Sequence, residues 1–195
     1  MDYYDRIRNM IKDNHGIITS SMVKEHSIPS IYLTRMVKQG ELKRMHRGIY
    51  GTRDAVYDEY YIIYLKNKRI IYSFASALFL HGLTDRIPYP PEVTLPHDYN
   101  SSHIEDDIII HKVMKKYHGV GRIMKVTMFE HEVPAYDMER TLCDLVRFRE
   151  KIDVEIFKKA VQSYKRHDER DYNKLRQYAR IFNISTKINE LLDVI

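Results

Sequence analysis

The sequence predicts an α+β chain in two parts: a small helical unit that closes on a β-hairpin, then a mixed α/β region ending in several helices. Three patterns carry this. Apolar residues recur at helical spacing through roughly the first forty residues; β-branched and aromatic runs broken by Pro and Gly occupy 70–136; from Asp137 the pattern is helical again. The boundary falls at residue 53, giving units 1–53 and 54–195, with 54–68 as a linking helix.

Tyr3, Ile7, Met10 and Ile11 share one face of a first helix, which Asn14-His15-Gly16 should end, the glycine supplying a left-handed cap. Ile17 and Ile18 form a short buried connection, and Thr19, Ser20 and Ser21 offer capping hydroxyls to a second helix reaching about His26. Ser27-Ile28-Pro29-Ser30 is a turn, and Pro29 suits a helix start, where its missing N–H has no helical partner to lose. A third helix runs to Gln39, turning Leu33, Met36 and Val37 inward, and Gly40 stops it. Residues 42–45 and 48–50 are two short strands about a His46-Arg47 turn.

Helix, turn, helix and basic hairpin in this order make a winged helix-turn-helix. In that geometry the third helix enters the major groove of double-stranded DNA with the residues near its start on base edges. The wing carries arginine to the backbone or into the minor groove. The candidate DNA contacts are Ser30, Tyr32, Thr34, Arg35 and Lys38 on the helix, with Arg44 and Arg47 on the hairpin. Tyr32 has an equal alternative in packing on the scaffold. Arg35 and Lys38 taken singly would be solvated charges, and it is their joint placement with Ser30, Thr34, Arg44 and Arg47 on one side that favours contact.

Downstream, 54–68 turns Tyr57, Tyr61, Ile62 and Leu65 inward. A strand at Ile70-Ile71-Tyr72, a small-residue helix from Ser73 to Leu80 and a prolyl turn at Pro88, Pro90 and Pro91 follow. Strands are expected at 92–95, at 107–113 with Ile108-Ile109-Ile110 as a core run, and at 122–129 and 132–136. Asp137 and Asp153 each N-cap a helix, the second ending near Arg166, and two more helices cover 172–181 and 186–192.

Composition narrows the function classes. At 44% hydrophobic and 30% charged, with a mean hydropathy of −0.49, the chain has apolar residues enough for a core. It has no run near the roughly 18 apolar residues of a membrane span. Its first residues mix both charge signs without a signal-peptide core, so a cytoplasmic protein is expected. The lone Cys143 sits in an apolar stretch as a small hydrophobe. Residues 1–53 hold ten Lys and Arg against five Asp and Glu, so the whole formal charge of +5 belongs to them and the remainder balances. A localised basic excess is the footprint of a phosphate-binding surface.

Residues 16–50, above all Leu33-Thr34-Arg35-Met36-Val37-Lys38-Gln39-Gly40-Glu41-Leu42 and Arg47-Gly48-Ile49-Tyr50, resemble the N-terminal domain of AbiEi-type antitoxins. Ser76-Ala77-Leu78, His81-Gly82-Leu83-Thr84-Asp85 and Tyr136-Asp137-Met138-Glu139-Arg140-Thr141-Leu142-Cys143-Asp144-Leu145 resemble signature stretches of the same family's antitoxin domain. The resemblance implies a type IV toxin-antitoxin system of abortive phage infection. Its N-terminal domain represses its own promoter through inverted repeats. Its C-terminal domain neutralises a toxin resembling nucleotidyltransferases, without a stable complex. By resemblance, antitoxicity falls on His81, Glu139, Arg140 and Asp144. From the residues alone, Arg140 and Asp144 stand four apart on a helix and can simply pair, and His81 can satisfy a backbone carbonyl.

Lys158, Lys159, Lys165 and Arg166, interleaved with Tyr164, Tyr172 and Tyr178, form a possible second basic face able to follow a nucleic-acid backbone and stack bases. Asp153, Glu155, Asp168, Glu169 and Asp171 dilute it, and a solvated helical surface is the alternative.

Enzymatic readings are weaker. Ten histidines show neither H-E-x-x-H nor paired Cys/His spacing, so no metal or other cofactor is expected and scattered surface histidines are the plainer account. Asp106-Asp107 reads as the start of a strand, its two side chains on opposite faces. Glu130 and Glu132 suit one face of a strand, which makes a winged-helix metal-dependent nuclease the strongest enzymatic rival, although no lysine accompanies them. No P-loop, dinucleotide fingerprint or nucleophile elbow occurs. A DNA-tethered interaction adaptor is the third reading.

Overall fold

The computed structural model describes residues 2–102, 104 and 107–193, and Asp106 lies outside them. The chain divides into two compact units, 1–68 with 126–132, and 69–125 with 133–195.

The first unit runs α1 (Tyr3–Asp13), β1 (Ile17–Thr19), α2 (Ser20–Glu25), α3 (Ile31–Lys38), β2 (Lys43–His46), β3 (Ile49–Gly51) and α4 (Glu59–Lys66). Its antiparallel sheet has the order β1-β3-β2. Ile7, Ile11, Ile18, Val23, Ile28, Leu33, Met36 and Leu42 make one core between α1, α2, α3 and the sheet. Thr19 caps α2 through its hydroxyl, which accepts from the Met22 N–H. This is the winged helix-turn-helix expected from the sequence, with Ile17 and Ile18 promoted from a connection to a strand paired with β3.

Three details differ. The wing turns at Arg47-Gly48, one residue later than expected, because Gly48 alone there takes the left-handed backbone (φ +75°). A bulge sets both Arg44 and His46 against consecutive residues of β3, leaving Met45 as the extra residue. The helix expected over 54–68 begins only at Glu59, where Asp58 caps it by accepting from the Tyr61 N–H. Tyr57 stays outside the helix, exposed, and Tyr60, Tyr61, Ile62 and Ile63 are all buried. Four consecutive buried residues mean a helix enclosed on nearly every side rather than an amphipathic strut.

The remaining elements are β4 (Ile71–Tyr72), α5 (Phe74–Leu80), β5 (Glu92–Pro96), β6 (Ile109–Val113), α6 (Lys115–His118), β7 (Arg122–Val126), β8 (Glu132–Tyr136), α7 (Met138–Arg147), a 3-10 turn at Arg149–Lys151, α8 (Val154–Arg166), α9 (Tyr172–Ile181) and α10 (Ser185–Asp193). The mixed sheet has the order β6-β5-β4-β8-β7, with β4 antiparallel to β5 and parallel to β8, and β5 parallel to β6. Asp137 and Asp153 cap α7 and α8 as expected, each carboxylate accepting from first-turn N–H groups. The apolar run at 108–110 is not a core strand. β6 is the sheet's edge and Ile109 is 43% exposed. The short α6 was not expected from the sequence.

Helix α7 is the centre of the second unit. Every residue from Met138 to Val146 is buried. Its apolar side joins Phe74, Leu78, Leu83, Tyr164, Leu175 and Ile188 in one core, and its polar side is equally enclosed.

Gly121 supports this packing. It adopts φ +78°, and a Cβ there would lie 2.5 Å from the Arg140 Cβ. Gly121→Ala therefore combines backbone strain with a clash against a buried helix. It should lower unfolding stability by about 3 kcal/mol, read as a reduced midpoint in urea denaturation at unchanged slope.

Candidate nucleic-acid interface

On α3, Leu33 and Met36 are buried while Ile31, Thr34, Arg35 and Lys38 are exposed. The exposed set follows the i, i+3, i+4, i+7 spacing of a single helical stripe, the one opposite the core. Ser30 precedes the helix, half-buried, and its hydroxyl makes no capping bond, so it remains available for another partner. Tyr32 packs on α1, its ring 5.0 Å from Tyr3 and 5.2 Å from Tyr4, while Arg35 lies over its outer side at 5.3 Å. The tyrosine thus braces the third helix against the first and orients the arginine.

Ile31 is a surface residue that the sequence pattern did not single out. It is 51% exposed at the first position of α3. An aliphatic side chain at a helix start is ordinarily assigned to the core. The signal that exposes it is its register with Thr34, Arg35 and Lys38. An apolar side chain there suits the methyl group of thymine in a major groove.

The wing presents Arg44 and Arg47, both exposed, with the Arg44 Nε donating to the His46 carbonyl at 3.4 Å across the bulge. Among the described residues no carboxylate pairs with Arg35, Lys38, Arg44 or Arg47. The acids that could compete are held elsewhere, since Arg8 binds Glu41 through two hydrogen bonds of 3.1 and 3.2 Å and Asp5 at 3.4 Å. Arg6 donates to the His26 carbonyl and Lys43 to the Arg53 carbonyl. Arg35, Lys38, Arg44 and Arg47 thus stand on α3 and the wing without a carboxylate partner among the described residues, where phosphate can neutralise them.

The residues expected to serve antitoxicity come together around α7, but inside it. Arg140 is 1% exposed. Its Nε donates to Asp144 at 2.9 Å, its Nη1 donates to the carbonyls of Tyr117 and Val120 at 2.8 Å each, and its guanidinium carbon lies over the rings of Tyr136 (4.1 Å) and Phe182 (4.4 Å). Asp144 also accepts from Arg147 at 2.9 Å, and burial nonetheless raises its carboxyl above the ordinary range against the pull of both arginines. Glu139 accepts from the Tyr164 hydroxyl and the Asp171 N–H at 3.0 Å each. His81 makes a 2.8 Å hydrogen bond from Nε2 to the Tyr136 carbonyl. Each of the four holds a neighbouring element.

On α8, Lys158, Lys159 and Arg166 are exposed and Lys165 is half-buried, in two adjacent rows, with Lys159 paired to Asp85 at 3.0 Å. The tyrosines expected among them face differently. Tyr164 is buried, and the Tyr178 hydroxyl donates to Asp137 at 3.0 Å. Tyr164 therefore offers no stacking surface. Cys143 is buried and its thiol is pushed up to about 12 by burial.

The carboxylate pair of the nuclease reading separates. Glu132 begins β8, whereas Glu130 stands in the preceding turn at φ +66°, so the two do not share a strand face. Asp107 is exposed outside β6. His131 is buried rather than on the surface.

A basic α3 stripe and an arginine-bearing hairpin complete the first unit as a winged helix-turn-helix. Residues 5–52 match the family described as "Transcriptional regulator, AbiEi antitoxin", the family that the sequence resembles. The chain is also similar to the RV2827C protein from Mycobacterium tuberculosis, a crystal structure. The TM-score is 0.54 at 12% identity over 91% of this chain and 71% of that one, which is a likeness of fold. No curated protein matches the chain. No helix among the described residues is long and apolar enough to cross a membrane.

Burial also gives the second unit a pH dependence. Desolvation lowers the His81 pKa despite its bond to Tyr136, and lowers that of His118 beside the Thr94 carbonyl. Both rings then bind protons more readily when the chain is unfolded, so stability is full above the ordinary histidine range and is lost as pH falls through it toward the folded values. Urea midpoints should decline from pH 7.5 to pH 5, with a slope of at most about 1.4 kcal/mol per pH unit for each ring. The His81→Gln/His118→Gln variant should flatten that decline.

Proposed function

We propose that the protein is a DNA-binding repressor of its own operon, recognising inverted repeats, and also the antitoxin of a type IV abortive-infection system acting in the cytoplasm on a nucleotidyltransferase-like toxin. The observation that carries the DNA half is the stripe of Ile31, Thr34, Arg35 and Lys38 with Arg44 and Arg47, cations without carboxylate partners among the described residues. In this reading Ser30, Thr34 and Ile31 meet base edges, Arg35 and Lys38 meet bases or phosphates, and the wing arginines meet backbone or minor groove. Tyr32 positions Arg35. The protein performs no catalysis.

For the antitoxin half, His81, Glu139, Arg140 and Asp144 act by fixing α7 and the elements around it, and the surface that opposes the toxin is carried by them rather than made of them. The α8 cations Lys158, Lys159, Lys165 and Arg166 supply nucleic-acid contact in that activity. The match to an antitoxin regulator family over 5–52 supports the class of protein, and the roles given to these α7 and α8 residues go beyond the matched span.

Gel-shift titrations on the upstream region of the protein's own gene test the DNA half. Wild type should prefer that region over an unrelated duplex, and Arg35→Ala/Arg47→Ala should flatten the log-log salt dependence by about 0.9 for each phosphate that is no longer neutralised. Binding with no sequence preference would remove the autoregulation. Reversing Lys158, Lys159 and Lys165 to Glu should impair toxin neutralisation in cells while leaving operator affinity unchanged, and intact neutralisation would remove α8 from the mechanism.

A further inference from the structure

We propose that the first unit contains a site for a borderline divalent metal ion, Zn²⁺ by preference, formed by His131, His15 and Glu130 with Asp58 as the supporting carboxylate. The four residues belong to one compact unit, although His15 and Glu130 are far apart in sequence.

The central observation is His131. Its side chain is 3% exposed, its Nδ1–H donates to the Asp58 carboxylate at 2.9 Å, and its Nε2 is buried with no hydrogen-bond partner. An unpaired buried acceptor is costly and calls for an explanation. The Asp58 bond places the proton on Nδ1 and leaves the lone pair on Nε2. That is the tautomer and orientation in which a carboxylate prepares a histidine to bind metal. The ring cannot easily turn away, because it stacks on Tyr61 at 4.1 Å with an 11° interplanar angle. Asp58 is fixed in turn as the N-cap of α4 and as the acceptor of the Thr127 hydroxyl.

His131 lines a cavity of about 390 Å³ whose walls include His15, Glu130, Asp54 and Met128. The His15 Nδ1 lies 3.4 Å from the Glu130 Oε2, and the His15 and His131 ring centres are 5.6 Å apart. Two donors on one tetrahedral zinc, with bonds near 2.0–2.1 Å, stand about 3.3 Å apart, and two imidazoles on it have centres about 5 Å apart. The separations in this unit fall close to both. In their present rotamers the described residues do not gather three donors in one coordination sphere. Completing it requires His15 and Glu130, whose side chains are 45% and 77% exposed, to rotate and the space before the covered His131 Nε2 to open. Two imidazoles, one carboxylate and a water in the fourth position are a donor set suited to zinc.

The test uses the full chain without an affinity tag, titrated with Zn²⁺ by calorimetry and with Co²⁺ by visible absorption. One equivalent should bind, giving tetrahedral cobalt bands, and His15→Ala and Glu130→Gln should each weaken binding at least tenfold while His26→Ala, at an exposed histidine elsewhere in the unit, leaves it unchanged. Thermal melts without metal should show the His15 and Glu130 variants folded as wild type, since both side chains are exposed. Absence of binding at tens of micromolar metal, equal binding by His15→Ala and Glu130→Gln, or loss of binding in His26→Ala would each overturn the site. None of these outcomes bears on DNA binding.

Discussion

The second unit depends on one buried cation. A guanidinium removed from water is tolerable only when its charge is met and its N–H groups are satisfied. Arg140 has Asp144 for the first and two carbonyls at the end of α6 and just beyond it for the second, with the rings of Tyr136 and Phe182 packed against it. These bonds tie the middle of α7 to the segment leading into β7, and the close approach there requires a glycine at 121. Glu139, one residue earlier and so on another side of the helix, fastens α8 through Tyr164 and the start of α9 through Asp171. Helix α7 is thus a polar hub inside an apolar core. Removing either charge of such a pair leaves the other stranded, a loss of about 3–5 kcal/mol.

This arrangement separates two meanings of a signature motif. The stretch from Tyr136 to Leu145, one of those that resemble the antitoxin domain, is buried throughout. A motif of this kind specifies a scaffold, and any activity that fails when it is altered can fail through the scaffold. The α3 stripe and the wing present the opposite case, being exposed and, among the described residues, without carboxylate partners.

What was legible in the sequence was local. The caps Asp137 and Asp153, the α3 face and the hairpin each depend on residues within a few positions, so spacing alone revealed them. What was not legible depends on partners distant in sequence. Ile109 belongs to a β-rich run that fits a core strand equally well, and only the strand order shows that it lies at an edge. Tyr164 alternates with lysines as a base-stacking residue would, yet Glu139, 25 residues away, draws its hydroxyl inward. Ile31 reads as core until its register with Arg35 is noticed. His131 gave no signal at all, because the carboxylate that orients it is 73 residues earlier.

The two ends of the mixed sheet share a property with consequences beyond the fold. β6 and β7 are the outer strands, and each carries apolar side chains toward solvent, Ile109 on one and Met124 and Val126 on the other. Such edges invite strand-to-strand association between molecules. Each is also studded with cations, Lys112 with Lys115 and Lys116 just beyond β6, and Arg122 with Lys125 in β7. Two copies approaching edge to edge bring like charges together before any ladder can form. Charged side chains at a sheet edge are the usual device that opposes such pairing.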